Sequence, residues 1–134
     1  MNIIKEPPTP DELAAIYIEA GWLQDPFSDK MTKAVSSPSE WYVVRDLTHA
    51  TLGIGRFITD YARCAFIVDV IVLKIHHHKG IGTAIISEIV SDCRKLGIDN
   101  INLWPSKGKL PFYEKLGFYS LPSDQPHMKF DTGK

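Results

Sequence analysis

The residues of most chemical interest form one run, HHHKGIG, at residues 76–82. Three consecutive histidines suggest a metal site, but adjacent residues of an extended segment point in alternating directions and rarely converge on one ion. Glycines that lead from a strand into a helix instead let backbone N–H groups approach a phosphate. On spacing alone, the glycines fit an anion-binding loop or a simple tight turn equally well, and no metal site is predicted.

Two well-known phosphate-binding motifs do not match this run. The dinucleotide motif G-x-G-x-x-G requires a third glycine, and Ile85 occupies its place. The P-loop spacing G-x-x-x-x-G-K-[ST] is also missing. The sequence therefore predicts neither a nicotinamide dinucleotide site nor a P-loop.

Asp69 is the most informative acidic residue, because it interrupts the apolar run ARCAFIVDVIVLKI. An isolated ionised carboxylate inside a central strand is costly, so Asp69 must be neutral, paired or at the mouth of a cavity. Two interpretations remain open. Asp69 is either a base acting through water or a structural carboxylate paired with Arg56, Arg63 or a backbone N–H.

The elements that must position these residues follow from hydrophobic periodicity and from proline and glycine punctuation. The predicted order is β-α-α-β-β-β-α-β-α-β-β, an α/β domain built on a mixed sheet. Thr9 or Asp11 is expected to cap the first helix, and Gly21 and Gly97 to end the first and the long third helix. The predicted segments are NIIK, a helix from Pro10, SDKMTKAVSSP, WYVVRD, TLGIGRFITD, ARCAFIVDVIVLKI, a helix at 80–96, NINLW, LPFYEKLG, FYSLP and HMKFD.

Composition excludes several broad classes of function. A chain of 134 residues with a 44% apolar share has room for one domain, taken as residues 1–134. The net charge of −1 gives no basic field for nucleic acid, and no apolar run approaches the roughly 20 residues that cross a bilayer. Without a signal-peptide pattern, Cys64 and Cys93 are expected to be reduced thiols. We expect a cytoplasmic protein without nucleic-acid or membrane partners.

Two motifs in the correct order carry a family resemblance. VIVLKIHHHKGIGTAIISEI and, after INLW, FYEKLGF resemble the GCN5-related N-acetyltransferase (GNAT) family over about residues 51–118. The family's loop Q/R-x-x-G-x-G/A falls on residues 77–82. The second motif matches at Phe112, Tyr113, Leu116, Gly117 and Phe118. Two positions depart from the pattern: His77 replaces the usual Gln or Arg, and Lys74 replaces a common proline.

The resemblance implies a GNAT-like fold in which acetyl-CoA, as cosubstrate, is attacked directly by an amine in a ternary complex. It implies that a bulge splays the strand before the loop from NINLW. Tyr113 occupies the place of the acid that protonates the coenzyme A sulfur, although aromatic packing also explains it. Asp69 would be the base. The implied cofactor-binding residues are Ile71, Val72, Leu73, His77, His78, Lys79, Gly80, Ile81, Gly82 and Thr83.

The acceptor is expected to be a primary amine of a small molecule. Alternatives are a glucosamine-phosphate, a peptide or protein amine, or a non-catalytic domain that senses acyl-CoA. Members of the family often dimerise, so a homodimer is possible. Aromatic residues of the first helices could shape the acceptor pocket or simply pack in the core, namely Tyr17, Trp22, Phe27 and Trp41.

Overall fold

The computed structural model describes residues 2–23 and 29–133, which divide into two compact units at residues 1–103 and 104–134. The first unit holds every described strand, and the second holds one short helix. The elements are β1 (Asn2–Ile4), α1 (Pro10–Glu19), α2 (Asp29–Val35), β2 (Glu40–Arg45), β3 (Thr51–Thr59), β4 (Cys64–Val72), a 3₁₀ turn (Lys74–His76), α3 (Ile81–Lys95), β5 (Asn100–Leu103) and α4 (Leu110–Lys115).

The described strands form one mixed sheet in the order β1-β2-β3-β4-β5. Neighbours from β1 to β4 are antiparallel, whereas β4 and β5 are parallel. A parallel pair needs a crossover connection, and α3 supplies it between β4 and β5. The mixed sheet predicted from the sequence is therefore confirmed.

Helix α1 begins where the sequence predicts, because Thr9 forms a complete capping box. The Thr9 hydroxyl accepts from the Glu12 N–H at 3.1 Å, and the Glu12 carboxylate accepts from the Thr9 N–H at 3.0 Å. These contacts satisfy two backbone donors that the first turn leaves unpaired. The helix ends at Glu19, and Gly21 follows with a φ of 79°. Thr9, and not Asp11, is the cap.

Each face of the sheet is covered by helices. On one face, α1 and α2 pack on a buried cluster that contains Leu13, Ala14, Ile16, Met31, Trp41, Val43, Ile54 and Ile71. On the other face, α3 lies unusually close to β3, since a Cβ at Gly55 would be 2.5 Å from Ile85 Cγ2. The 15 residues of α3 make it the longest described helix. Within 2–23 and 29–133, no helix has the length and apolarity to span a membrane.

The prediction of two C-terminal strands is wrong. FYSLP and HMKFD lie in residues 118–133, to which the structure assigns no strand. Most of their large apolar side chains remain largely exposed, reaching 83% for Tyr119 and 90% for Phe130. Alternating apolar residues favour a strand, but the strand forms only where a neighbouring edge supplies hydrogen bonds and burial.

Candidate active site

Strand β4 carries a β-bulge at Asp69. The antiparallel register pairs Ile54 with Ile71 and Arg56 with Val68, so one residue of β3 faces two residues of β4. Asp69 has a φ of 53°, a left-handed conformation that is rare outside glycine. The bulge that the family resemblance implied is present in this strand.

The parallel pairing of β4 with β5 stops just before the bulge. Its last pair joins Ile67 to Leu103, and β4 continues to Val72. Among the described residues of the first unit, no strand pairs with the β5-facing edge of residues 68–72. Backbone N–H and C=O groups along this edge therefore have no partner from a neighbouring strand of the first unit, although His77 contacts the Val72 carbonyl.

Asp69 is paired across the sheet with Arg56. The guanidinium Nε donates to Asp69 Oδ2 at 2.6 Å, and the two side chains are 16% and 13% exposed. Burial, followed by the charge of Asp69 and a hydrogen bond to it, raises the pKa of Tyr17 on α1. The sequence left Arg56, Arg63 or a backbone N–H as alternative partners of Asp69, and the structure shows the contact with Arg56.

The loop between β4 and α3 presents an open helix N-terminus. Gly80 precedes α3 with a φ of 80°, and no side chain caps the first turn. A Cβ built on Gly80 would meet nothing within 4 Å, so the space over the loop is open. The first N–H groups of a helix have no internal partner and carry partial positive charge. This geometry fits a phosphate or pyrophosphate group.

All three histidines make contacts at the loop, where the His77 and His78 rings lie edge to face with centroids 6.2 Å apart. His77 Nε2 lies 2.7 Å from the Val72 carbonyl oxygen, which can only accept, so this nitrogen carries the proton. Lys79 Nζ donates to His76 Nδ1 at 3.2 Å. His78 has a φ of 63° at the turn. In the described part of the chain, no three His, Cys, Asp or Glu residues are grouped to hold a metal ion.

The remaining predicted cofactor residues offer mainly their backbone. The Ile71 side chain is buried in the core, and Leu73 N–H donates to Leu52 O at 3.0 Å. Ile81 is buried beneath the loop, whereas Thr83 is exposed on the first turn of α3. Since the Leu73 N–H already has a partner, a ligand along residues 71–73 would contact the other main-chain groups of this segment, and a ligand at the loop would contact the helix N-terminus.

Tyr113 lies on α4, in the second unit. Its ring packs edge-on against Phe112, with centroids 4.9 Å apart, and against Phe118 at 5.9 Å. Burial raises the pKa of the Tyr113 phenol, so the hydroxyl stays protonated at neutral pH. The packing of Tyr113 is that expected of a structural aromatic residue. Its protonated hydroxyl is also what a proton donor requires.

A comparison with protein families decides the assignment. The model of the Acetyltransferase (GNAT) family matches residues 5–118, which include the loop and the Tyr113 motif. This chain belongs to the GNAT acetyltransferase family. Members of the family use acetyl-CoA, and this GNAT chain has an open helix N-terminus and an open strand edge that fit such a ligand.

Two curated sequences are similar to this GNAT chain. A histone acetyltransferase, TAP1 of Glycine max, is 28% identical over 124 residues, covering 83% of this chain and 52% of the relative. An uncharacterised N-acetyltransferase, ycf52 of Pyropia yezoensis, is 26% identical over 114 residues, covering 83% and 65%. The chain thus spans between half and two-thirds of the length of the curated relatives it matches.

Solved structures have the same fold. A GNAT family acetyltransferase of Streptococcus pneumoniae has a TM-score of 0.81 at 22% identity, covering 96% of each chain. Glucosamine-6-phosphate N-acetyltransferase of Arabidopsis thaliana has a TM-score of 0.67 at 19% identity, covering 98% of this chain and all of the other. At these identities the similarity shows the GNAT fold and carries no further information on substrate.

Some contacts near this GNAT site were not predicted from the sequence. Glu19, the last residue of α1, accepts from the Lys74 N–H at 3.0 Å, where the loop begins. The Tyr17 ring contacts the Trp22 ring in a tilted arrangement, with centroids 5.6 Å apart, and Tyr17 also interacts with Asp69. No local pattern marks the contacts of Glu19 with Lys74 and of Tyr17 with Asp69, since each joins residues far apart in sequence. Phe27 lies outside the described residues.

Proposed function

We propose that this protein transfers the acetyl group of acetyl-CoA to a primary amine of a small molecule, by direct attack in a ternary complex. One observation carries the proposal: the open edge of β4 beyond Ile67 leads to the uncapped N-terminus of α3. An extended ligand with amide groups followed by a pyrophosphate has the chemistry that these two features bind.

Residues of β4 and of the loop would share the binding of acetyl-CoA. Backbone groups of Ile71, Val72 and Leu73 would hold the pantetheine arm, as a strand holds a neighbouring strand. The N–H groups from Gly80 to Thr83 would receive the pyrophosphate. Lys79 and His78 are exposed at the loop and would add positive charge. His77 would act through Val72, because its ring already contacts that carbonyl.

The reaction forms a bond between the amine nitrogen and the acetyl carbon and breaks the bond between that carbon and sulfur. The amine loses one proton, and the departing thiolate gains one. Tyr113 is the proposed acid, since its raised pKa keeps a proton on the phenol for delivery to sulfur. Donors on the backbone of β4 would stabilise the negative oxygen of the tetrahedral intermediate.

Asp69 is proposed as the base, acting on the amine through water. A carboxylate has about four acceptor positions, so Asp69 can hold a water molecule while it accepts from Arg56. The residue also lies at the bulge, where pairing between β4 and β5 has ended. A proton relay at this point would be adjacent to the proposed acetyl-CoA site.

The acceptor could also be larger than we propose. One similar sequence is named as a histone acetyltransferase, and one fold neighbour as a glucosamine-6-phosphate N-acetyltransferase. Protein amines and amino-sugar phosphates are therefore the acceptors to compare with simple amines. We also propose that residues 1–134 act as one domain, since the family match runs across both compact units.

The test follows thiol release from acetyl-CoA with a panel of amines, and the mass increase of the amine that reacts. Wild-type protein is expected to release thiol only when an acceptor is present. Tyr113→Phe should lower kcat by roughly 100-fold while leaving acetyl-CoA affinity unchanged, because only the transferable proton is lost. Full activity of Tyr113→Phe would remove the acid assignment. Binding of acetyl-CoA without turnover on any amine would favour the acyl-CoA sensor instead.

A further inference from the structure

We propose that Arg56 is a positioning residue, whose ion pair with Asp69 holds the β4 bulge and thereby keeps the edge of β4 open for the coenzyme. The inference rests on the proposed acetyl-CoA site, but it concerns the backbone of β4 and not the transfer of protons. It assigns to a partly buried arginine the control of where β4 separates from β5.

The first observation is the backbone of Asp69. Its φ of 53° is less favourable than an extended backbone for a residue with a Cβ, although aspartate tolerates it better than most, so an interaction outside the residue would stabilise it. Arg56 is placed to do so, since it pairs with Val68 on the neighbouring strand and reaches Asp69 Oδ2 at 2.6 Å. Both side chains are almost buried, which strengthens their attraction.

The second observation is that Arg56 is itself held in place. Its guanidinium carbon lies 4.7 Å from the ring centroid of Trp41, a cation–π contact. Its Nη1 lies 3.4 Å from the hydroxyls of Ser37 and Ser39, before β2. Arg56 is therefore an anchored donor, and the position of the Asp69 carboxylate follows from it.

The third observation is what the bulge controls. Ile71 is buried in the α1 and α2 core opposite Ile54, and the bulge sets this register. If Asp69 returned to an extended conformation, residues 70–72 would shift by one place, and their side chains would exchange faces. The open edge beyond Ile67 would then present different backbone groups, so a coenzyme that binds there would lose affinity.

The experiment is a double-mutant cycle read by calorimetric titration with coenzyme A, which needs no acceptor. Arg56→Met should weaken binding by about tenfold, because the bulge loses its anchor. Asp69→Gly should bind within about threefold of wild type, since glycine adopts the left-handed conformation unaided. Adding Arg56→Met to the Asp69→Gly variant should cause little further loss of coenzyme A affinity.

A second readout uses the unliganded protein. Amide hydrogen exchange of residues 68–72 should rise in Arg56→Met and stay near the wild-type level in the double variant. If Arg56→Met does not fold, Arg56→Lys takes its place in the cycle, since it keeps the charge but loses the Nε geometry.

Three outcomes are decisive. Unchanged coenzyme binding and exchange in a folded Arg56 variant would overturn the inference. The inference would also be overturned if the Arg56 substitution lowered coenzyme A affinity equally in the wild-type and Asp69→Gly backgrounds. Arg56 would then act independently of the bulge. If wild type does not bind coenzyme A, the proposed function fails, and the exchange measurement alone still decides whether Arg56 holds the bulge.

Discussion

Arg56 Nε lies 2.6 Å from Asp69 Oδ2, although the two residues stand on different strands and their side chains are only 16% and 13% exposed. Removing one member of such a pair leaves the other charge buried without its counter-ion. Asp69→Ala is therefore expected to lower the free energy of unfolding by about 2–3 kcal/mol, after allowing for partial exposure.

Asp69→Asn is the matched control for this prediction. Its amide oxygen can still accept from Arg56, and asparagine tolerates a left-handed backbone better than alanine. In urea denaturation, wild type should be the most stable protein, Asp69→Asn the next and Asp69→Ala the least stable. An alanine variant as stable as wild type would contradict the role of the ion pair.

Glu12 should make stability depend on pH. Arg45 Nη2 donates to Glu12 Oε1 at 3.2 Å, and this pairing lowers the pKa of Glu12 from its ordinary value of 4.5 to about 2. Because the folded-state pKa is the lower one, the contribution is fully present above pH 4.5 and is lost as the pH falls towards 2. Glu12→Gln should cost about 2 kcal/mol at neutral pH.

The measurement is the free energy of unfolding of wild type and Glu12→Gln from neutral pH to acid. The difference between the two proteins should shrink as the pH falls. Asp11→Asn, at an exposed position of the same helix turn, should give a small difference at every pH. A gap between wild type and Glu12→Gln that stays constant down to low pH would refute the prediction.

Gly55 allows α3 to pack directly on β3. An added Cβ would lie 2.5 Å from Ile85 Cγ2, and Ile85 is fully buried. Gly55→Ala should therefore cost about 1–3 kcal/mol by overpacking. Ile85→Leu removes the γ2 methyl while conserving volume, so Gly55→Ala should cost less in that background. Thermal unfolding of the four proteins measures the difference, and equal costs in both backgrounds would exclude this contact as the cause.

Gly80 should control binding of the coenzyme through charge. Aspartate and asparagine both tolerate its left-handed conformation, and a Cβ there meets nothing within 4 Å. Gly80→Asp should bind acetyl-CoA at least about tenfold more weakly than Gly80→Asn, because a carboxylate would face the pyrophosphate. The difference in acetyl-CoA affinity between the two variants should decrease at high salt. The affinities are measured by titration at two ionic strengths. If the two variants bind acetyl-CoA equally well at both, the pyrophosphate does not bind at Gly80.

Local signals in the sequence predicted most of the fold. The cap expected at Thr9 or Asp11, the glycines at 21 and 97 and the apolar periodicity of α3 concern neighbouring residues, and the structure shows the cap at Thr9 and confirms the other two. The two C-terminal strands failed because a strand needs a partner, which periodicity cannot provide. The same limit applies wherever structure depends on residues distant in the chain.

The candidate site was predictable in part. The sequence showed that Asp69 required compensation, but Arg56 and Arg63 remained alternatives because the strand register that places Arg56 opposite Val68 could not be predicted from the sequence. The glycine loop could be located from its motif. The contact of His77 with the Val72 carbonyl could not, since it depends on how the loop folds back on β4.

The most direct test of the account is calorimetric titration of wild-type protein with acetyl-CoA, with nicotinamide dinucleotide as the control ligand. The open edge of β4 and the uncapped N-terminus of α3 predict saturable binding of acetyl-CoA and none of the dinucleotide. Folded protein that binds the dinucleotide but not acetyl-CoA would contradict the central claim.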